Sequence, residues 1–201
     1  MNRTKIVFII PGFRHKVSQK GYVSIRKRLV GDGYRVVSVA IPWRESTITD
    51  NAEYFLKKYE TMLQKFDKTT DVYFLGFSYG ALIAFLASTK LSVKGLILCS
   101  LSPYFKEDLP KRLPKNVSLL QEKRYEAFAS LPAEQLAKKI KAKHVMMLYG
   151  EKESIRLIER TKLAFHAIAS PKKYLFTIGN TDHDIADKKY ISAIHFATSF
   201  L

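Results

Sequence analysis

The sequence predicts an α/β protein: a three-layer α/β/α sandwich around a mostly parallel sheet of about six strands. Three observations predict it. Short, nearly continuously apolar runs recur along the 201 residues, as strands buried on both faces require. Helical patterns with polar faces separate most of those runs, which implies parallel βαβ units with helices on both sides of the sheet. One apolar run also passes straight into a helix through FLGFSYGAL, residues 74–82, where a serine stands between two glycines. In such a sheet ligands gather at the carboxyl ends of the strands, so the chemistry is sought there.

The elements follow in order. KIVFII (5–10) reads as the first strand, and a helical stretch from about Ser18 to Val30 ends at Gly31 and Gly33. YRVVSVAIP (34–42) is the second strand, and Asp50 with Glu53 three residues on caps the helix AEYFLKKYETMLQKF. DVYFLGF (71–77) is the third strand, running into ALIAFLAST as a helix. VKGLILCS (93–100), HVMMLYG (144–150) and KYLFTIG (173–179) are the fourth, fifth and sixth strands. The helical patterns IRLIERTKLAFHAIA and DKKYISAIHFATSFL follow the last two.

The segment from Leu101 to Lys143 breaks this rhythm. It holds Pro103, Pro110, Pro114 and Pro132 with two short helical patterns, and is too long for a plain crossover. No repeat, low-complexity tract or linker marks a boundary, so residues 1–201 read as a single domain with 101–143 a helical insert or small lid.

Charge and composition bound the partners. With 34 Lys+Arg against 18 Asp+Glu the net charge is +16, a field that attracts nucleic acid, anionic lipid or acidic substrates without any motif. The basic residues are spread along helical segments, with no stacking motif, finger spacing or long basic tail, so no specific nucleic-acid binding is expected. Cys99, the single cysteine, cannot form an internal disulfide and reads as a small buried hydrophobe. The run IVFII before Pro11 is shorter than the roughly 7–15 apolar residues of a signal peptide. No stretch approaches the roughly 20 apolar residues of a membrane span. A cytoplasmic protein without a transmembrane segment is the expectation; the oligomeric state is not readable.

The chemistry centres on GFSYG, Gly76 to Gly80, a G-x-S-x-G pattern at a strand-to-helix junction. A sharp turn there projects the Ser78 hydroxyl into a site, and its crowded backbone calls for small residues two before and two after. The helix behind it points backbone N–H groups at the place where negative charge develops. A serine hydroxyl needs a base, normally a histidine oriented by a carboxylate. Among five histidines, His166 and His195 lie in helical patterns and His144 begins a strand, at the wrong end. His15 follows the first strand and lines the pocket in one reading; His183, in GNTDHDIAD directly after the sixth strand, is the favoured base. Glu151 and Glu153 both leave the carboxyl end of the fifth strand, in LYGEKES. Asp182 and Asp184 flank His183 but lie too close along the chain to face its ring.

These residues resemble an α/β-hydrolase-fold serine hydrolase, in a small, reduced, esterase- or thioesterase-like form. The order nucleophile, acid, histidine of that family is matched by Ser78, Glu153 and His183, and GEKE resembles the family's acid-bearing stretch. The resemblance implies Glu153 as the triad acid with Glu151 in reserve, and an oxyanion hole from the backbone N–H groups of Phe13 and Tyr79. It covers essentially the whole chain, with departures. The family's first two antiparallel strands are absent, and IIPGF carries Pro11-Gly12 where His-Gly is frequent. Glutamate replaces the commoner aspartate, and IPWRESTITD stands where a glycine-rich turn is usual, leaving Trp43 and Arg44 near the possible pocket mouth.

The function expected from this is hydrolysis of a small-molecule carboxylic ester or thioester through an acyl-enzyme, with no metal or organic cofactor. Three alternatives stay open: acyl transfer or peptide cleavage by the same triad, a non-catalytic binding protein on a hydrolase scaffold, and a basic module for an anionic polymer or membrane. Tyr104, Phe105, Tyr125 and Phe128 of the insert form either an apolar acyl pocket or the buried side of two short helices.

Overall fold

The computed structural model describes residues 3–67, 69–114 and 116–200. Its strands are β1 (Lys5–Ile10), β2 (Arg35–Ser38), β3 (Asp71–Phe77), β4 (Val93–Cys99), β5 (Ala142–Gly150) and β6 (Lys172–Ile178). They pair in the order β2-β1-β3-β4-β5-β6, and every pairing is parallel. The helices are α1 (Lys20–Gly31), α2 (Ile48–Leu63), α3 (Tyr79–Lys90), α4 (Leu119–Ala129), α5 (Ala133–Ala137), α6 (Ile155–Ala167) and α7 (Lys188–Thr198).

Parallel neighbours need crossovers, and the crossovers cover both faces of the sheet. On β1, Ile6, Phe8 and Ile10 enter one core while Val7 and Ile9 enter the other. The first core is closed by α2 and α3 with parts of the insert and α6, the second by α1 and α7. Central strands therefore have no solvent side, which is why their sequences run apolar without alternation. Among the described residues no helix is long and apolar enough to cross a membrane.

Several boundaries differ from expectation. β2 stops at Ser38 rather than continuing to Pro42. Val39 N–H still donates to Ile9 O at 2.9 Å, after which the chain leaves the sheet while Val39 and Ile41 stay buried. Burial in a loop imitated a strand there. The α2 cap is Thr47, not Asp50. Asp50 N–H donates to Thr47 Oγ1 (3.2 Å) and Thr47 N–H donates to Asp50 Oδ2 (2.8 Å), so Asp50 completes the box from inside the helix. α1 starts at Lys20, and β5 starts at Ala142, leaving His144 near the amino end of its strand. The last helix ends at Thr198, and Leu201, where its pattern closed, lies outside the described residues.

The segment between β4 and β5 is helical, as expected, with a 3₁₀ turn at Lys106–Asp108 before α4 and α5. Its anchor is a buried pair: Asp108 receives Arg160 Nη2 at 2.8 Å and Nε at 2.9 Å from α6, and also caps Phe105 N–H at 3.1 Å. Phe105 fills the core beside Phe85, ring centroids 5.3 Å apart. By contrast α4 has no buried residue.

Candidate active site

Ser78 is the joint between β3 and α3. Its backbone takes φ 57° and ψ −120°, a conformation costing an L-residue about 1–3 kcal/mol unless the surroundings impose it. They do. Ser78 N–H donates to Cys99 O at 2.8 Å, and Ser78 O accepts from Ala81 N–H (2.9 Å) and Leu82 N–H (3.2 Å). A Cβ on Gly76 would sit 2.3 Å from Gly80 O, and one on Gly80 only 2.2 Å from Ile10 O. The two glycines are thus demanded by three backbones in contact. Behind the turn, ten of the twelve α3 residues are buried, which holds the joint still.

The loops after β5 and β6 are fastened to each other, and this brings their side chains to Ser78. Lys152 N–H donates to Thr181 O at 2.9 Å, and a Cβ on Gly150 would lie 2.4 Å from the same carbonyl oxygen. His183, exposed on the second loop, places Nε2 at 2.9 Å from Ser78 Oγ. Its other nitrogen, Nδ1, is 3.5 Å from Oε1 of Glu153, whose side chain is wholly buried. The first contact is a well-made hydrogen bond; the second is an ion-pair distance, longer than the usual 2.7–3.2 Å of N–H···O. Glu151 turns away and accepts Asn180 N–H at 2.7 Å, closing the exit from β6. Asp182 accepts the backbone N–H of His183 at 2.7 Å and Asp184 accepts Ala186 N–H, so neither meets the imidazole nitrogens.

Comparison with solved structures finds this arrangement of elements elsewhere. No protein-family model matches the sequence, and no curated protein sequence matches it. Est1E from Butyrivibrio proteoclasticus superposes with a TM-score of 0.82 at 18% identity, covering 98% of this chain and 86% of that one. Alpha/beta hydrolase domain-containing protein 10 from mouse gives 0.71 at 15% identity, over 97% and 88% of the two chains. A dienelactone hydrolase from Anabaena variabilis gives 0.72 at 14%, over 98% and 85%. This chain has the α/β-hydrolase fold.

On this α/β-hydrolase fold the groups behind the three residues were not read from sequence. Ser100, at the end of β4 with φ 51°, donates its hydroxyl to Glu153 Oε1. Tyr190 of α7, fully buried, lies 2.5 Å from Ser100 Oγ and 3.4 Å from Leu148 O. The single hydroxyl proton of Ser100 goes to the carboxylate, so the proton of Tyr190 points at Ser100 or Leu148. Burial pushes the Tyr190 phenol well above its ordinary pKa, with Cys99 and Glu153 adding to it, and keeps it a donor. Ser102 Oγ is a further neighbour of Ser78 Oγ, at 3.3 Å. The available signals were polar atoms in buried positions: serines closing an apolar strand and a tyrosine on the inner face of a helix.

The loop after β1 is held in the same manner. Gly12 N–H donates to the hydroxyl of Tyr22, buried on α1, at 2.8 Å. The Tyr22 proton is therefore available to His15 Nδ1, 3.0 Å away, and His15 stacks on Phe77 at 5.8 Å between centroids. Burial, then the charge of His183, hold the His15 pKa below its usual value, with Asp184 opposing them. His15 has Tyr22 as its partner, and it is His183 that meets Ser78. The next residue, Phe13, and Tyr79 after the serine have backbone N–H groups with no acceptor among the described residues. Cys99 is buried as expected, its thiol pushed up by burial and then by Glu153.

Ser78 opens onto a cleft of ≈ 830 Å³, walled by Phe13, Tyr104, Phe128 and Leu157 with Arg124 and Ser102 among them. The expected pocket residues His15, Trp43 and Arg44 line a separate, neighbouring cleft. Trp43 packs on Phe13 and Tyr79, centroids 5.7 and 5.5 Å away, and this aromatic cluster forms the partition. Of the four aromatics considered in the insert, Tyr104 and Phe128 stack at 5.0 Å and face the Ser78 cleft. Phe105 is a core residue instead, and the Tyr125 hydroxyl donates to Pro110 O at 2.8 Å. A larger groove, ≈ 990 Å³, runs along the amino ends of the strands past Asp71, Val93 and Ala142, but no histidine lines it. Ser78, His183 and Glu153 meet at the opposite, carboxyl end.

Proposed function

We propose that the protein is a serine hydrolase that cleaves a carboxylic ester or thioester through an acyl-enzyme. The observation that carries this is the strained Ser78, its hydroxyl 2.9 Å from His183 Nε2 at the mouth of an open cleft. Ser78 Oγ attacks the substrate carbonyl while His183 Nε2 takes its proton. The resulting imidazolium is stabilised by Glu153, and their 3.5 Å separation shortens when substrate closes the site, as free-enzyme contacts commonly do. The N–H groups of Phe13 and Tyr79 receive the oxyanion, a role in which one donor is worth about 3–4 kcal/mol. His183 returns the proton to the departing alcohol or thiol, then activates water to release the acid. Ser100, with Tyr190 behind it, holds the Glu153 carboxylate in place. Residues 101–143 act as a cap whose Tyr104 and Phe128 receive the acyl group. Est1E has been solved with ferulic acid bound, so esters of aromatic acids belong in the first substrate panel.

The test is labelling by a fluorophosphonate, located by peptide mass spectrometry, together with hydrolysis of an ester and thioester series. Label on Ser78 and turnover are expected in the native protein, both lost in a folded Ser78→Ala variant. The reading fails if folded protein takes no label under conditions where a known serine hydrolase does.

A further inference from the structure

We infer that the cleft beside the Ser78 cleft is an anion subsite, and that the substrate is an ester or thioester carrying a phosphate or carboxylate group. This deepens the hydrolase reading and rests on it. The second cleft, ≈ 860 Å³, collects cationic side chains from separate stretches of chain: Arg14 and Lys16 after β1, Arg44 after β2, and Arg124 on α4. Glu45 is the one carboxylate among its lining residues, and it pairs with none of the four within 4.0 Å. Cations gathered on one concavity repel each other, and an anion entering it removes that cost while receiving charge-assisted hydrogen bonds. Three of the four are arginines, whose planar forks suit phosphate and carboxylate oxygens.

Two of these groups are held in place, which separates the cluster from a loose surface charge. Arg124 spends Nε on Ser46 O at 2.9 Å and Nη2 on Trp43 O at 3.4 Å, leaving Nη1 without an acceptor among the described residues. Arg14 has a left-handed backbone, φ 60°, and its guanidinium carbon lies 5.1 Å from the Phe13 ring centroid. Phe13 belongs to the loop that supplies the proposed oxyanion donor. Arg124 lines both clefts, so the basic one lies next to the serine cleft, on the far side of the Phe13, Trp43 and Tyr79 cluster. A substrate spanning the two lays its acyl part against Tyr104 and Phe128 and its anion among Arg14, Arg44 and Arg124.

The experiment measures the labelling rate of Ser78 by two fluorophosphonates of equal length, one ending in a carboxylate and one in an amide. At low ionic strength the anionic probe is expected to react about two- to fivefold faster, a range appropriate to exposed charge pairs. That preference should vanish in Arg14→Gln/Arg44→Gln and persist in Arg26→Gln/Lys27→Gln, which removes the same charge from the exposed face of α1. No preference, or an equal fall in both double variants, overturns the subsite and leaves the hydrolase reading standing. Calorimetric titration of the Ser78→Ala protein with inorganic pyrophosphate tests the cleft without any reaction. Binding lost only in the added Arg14→Gln/Arg44→Gln background supports it; absent binding, or loss with either pair, refutes it. If pyrophosphate binds in this way while no probe labels Ser78, the anion site survives and the hydrolase reading does not. The side bearing the charge follows from comparing half-esters of dicarboxylic acids and thioesters of a phosphorylated thiol with neutral counterparts. Preference for either charged member supports the subsite; preference for neither counts against it.

Discussion

The turn at Ser78 and the insert between β4 and β5 face each other across one cleft, yet they are built on opposite principles. The turn is cut from the densest part of the molecule: α3 is buried almost throughout, and Gly76 and Gly80 admit no Cβ. The insert rests on one buried ion pair and a few apolar side chains, and α4 contributes nothing fully buried. A strained backbone persists only where the surroundings over-determine it, whereas a wall that receives substrates tolerates variation. The proposed reacting group therefore sits on the rigid half, and the aromatic side chains proposed to receive the acyl group, Tyr104 and Phe128, sit on the lightly held half.

The sharpest way to break this contrast is to attack the insert at its anchor. Asp108→Ala leaves Arg160 buried without its partner and is expected to destabilise the protein by about 3–5 kcal/mol, read from urea unfolding midpoints. If the loss is small, the insert is held by something other than this pair. Gly80→Ala comes next, at about 3 kcal/mol, because the added methyl meets the backbone oxygens of Ile10 and Pro11 and neither can yield alone. An unchanged midpoint there would show that the turn is less crowded than it looks.

Tyr22→Phe probes the rigid half more gently. It takes the acceptor from Gly12 N–H and the donor from His15, for about 1 kcal/mol of stability. Since the loop beyond Gly12 presents the Phe13 N–H, kcat should fall about tenfold with KM little changed, a split that simple destabilisation would not produce. Equal activity would mean that the loop keeps its shape without Tyr22. Phe128→Ala, at a half-buried position of α4 against Tyr104 and Tyr79, should cost about 1 kcal/mol while raising KM for bulky acyl esters several-fold. A stability loss comparable to that of Gly80→Ala would erase the distinction between the two halves.

How much of this was readable in advance depended on the range of the interaction. The third strand and the helix after it were legible to within a residue or two because both follow from local patterns: an unbroken apolar run, then G-x-S-x-G, then a run apolar on all sides. The second strand was overextended because a buried loop carries the same residues as a buried strand. Choosing His183 among five histidines was possible because only it leaves the carboxyl end of the last strand. Choosing between Glu151 and Glu153 rested on likeness to a family. What distinguishes them physically is Asn180 N–H for the one and Ser100 for the other, each supplied by a different strand exit.

The sequence by itself determined the class of fold, the succession of strands and helices, and the loops from which the serine, histidine and carboxylate would come. Periodicity and turn chemistry act over a few residues, and a chain carries them openly. The tertiary structure alone decided the strand order, the 2.9 Å approach of His183 to Ser78, and the burial of Glu153 against Ser100 and Tyr190. It also moved His15, Trp43 and Arg44 out of the serine cleft and set them with Arg14 and Arg124 around a second one. Those outcomes join residues as many as 105 positions apart, and such contacts exist only once the sheet has closed and its loops have been brought to one edge.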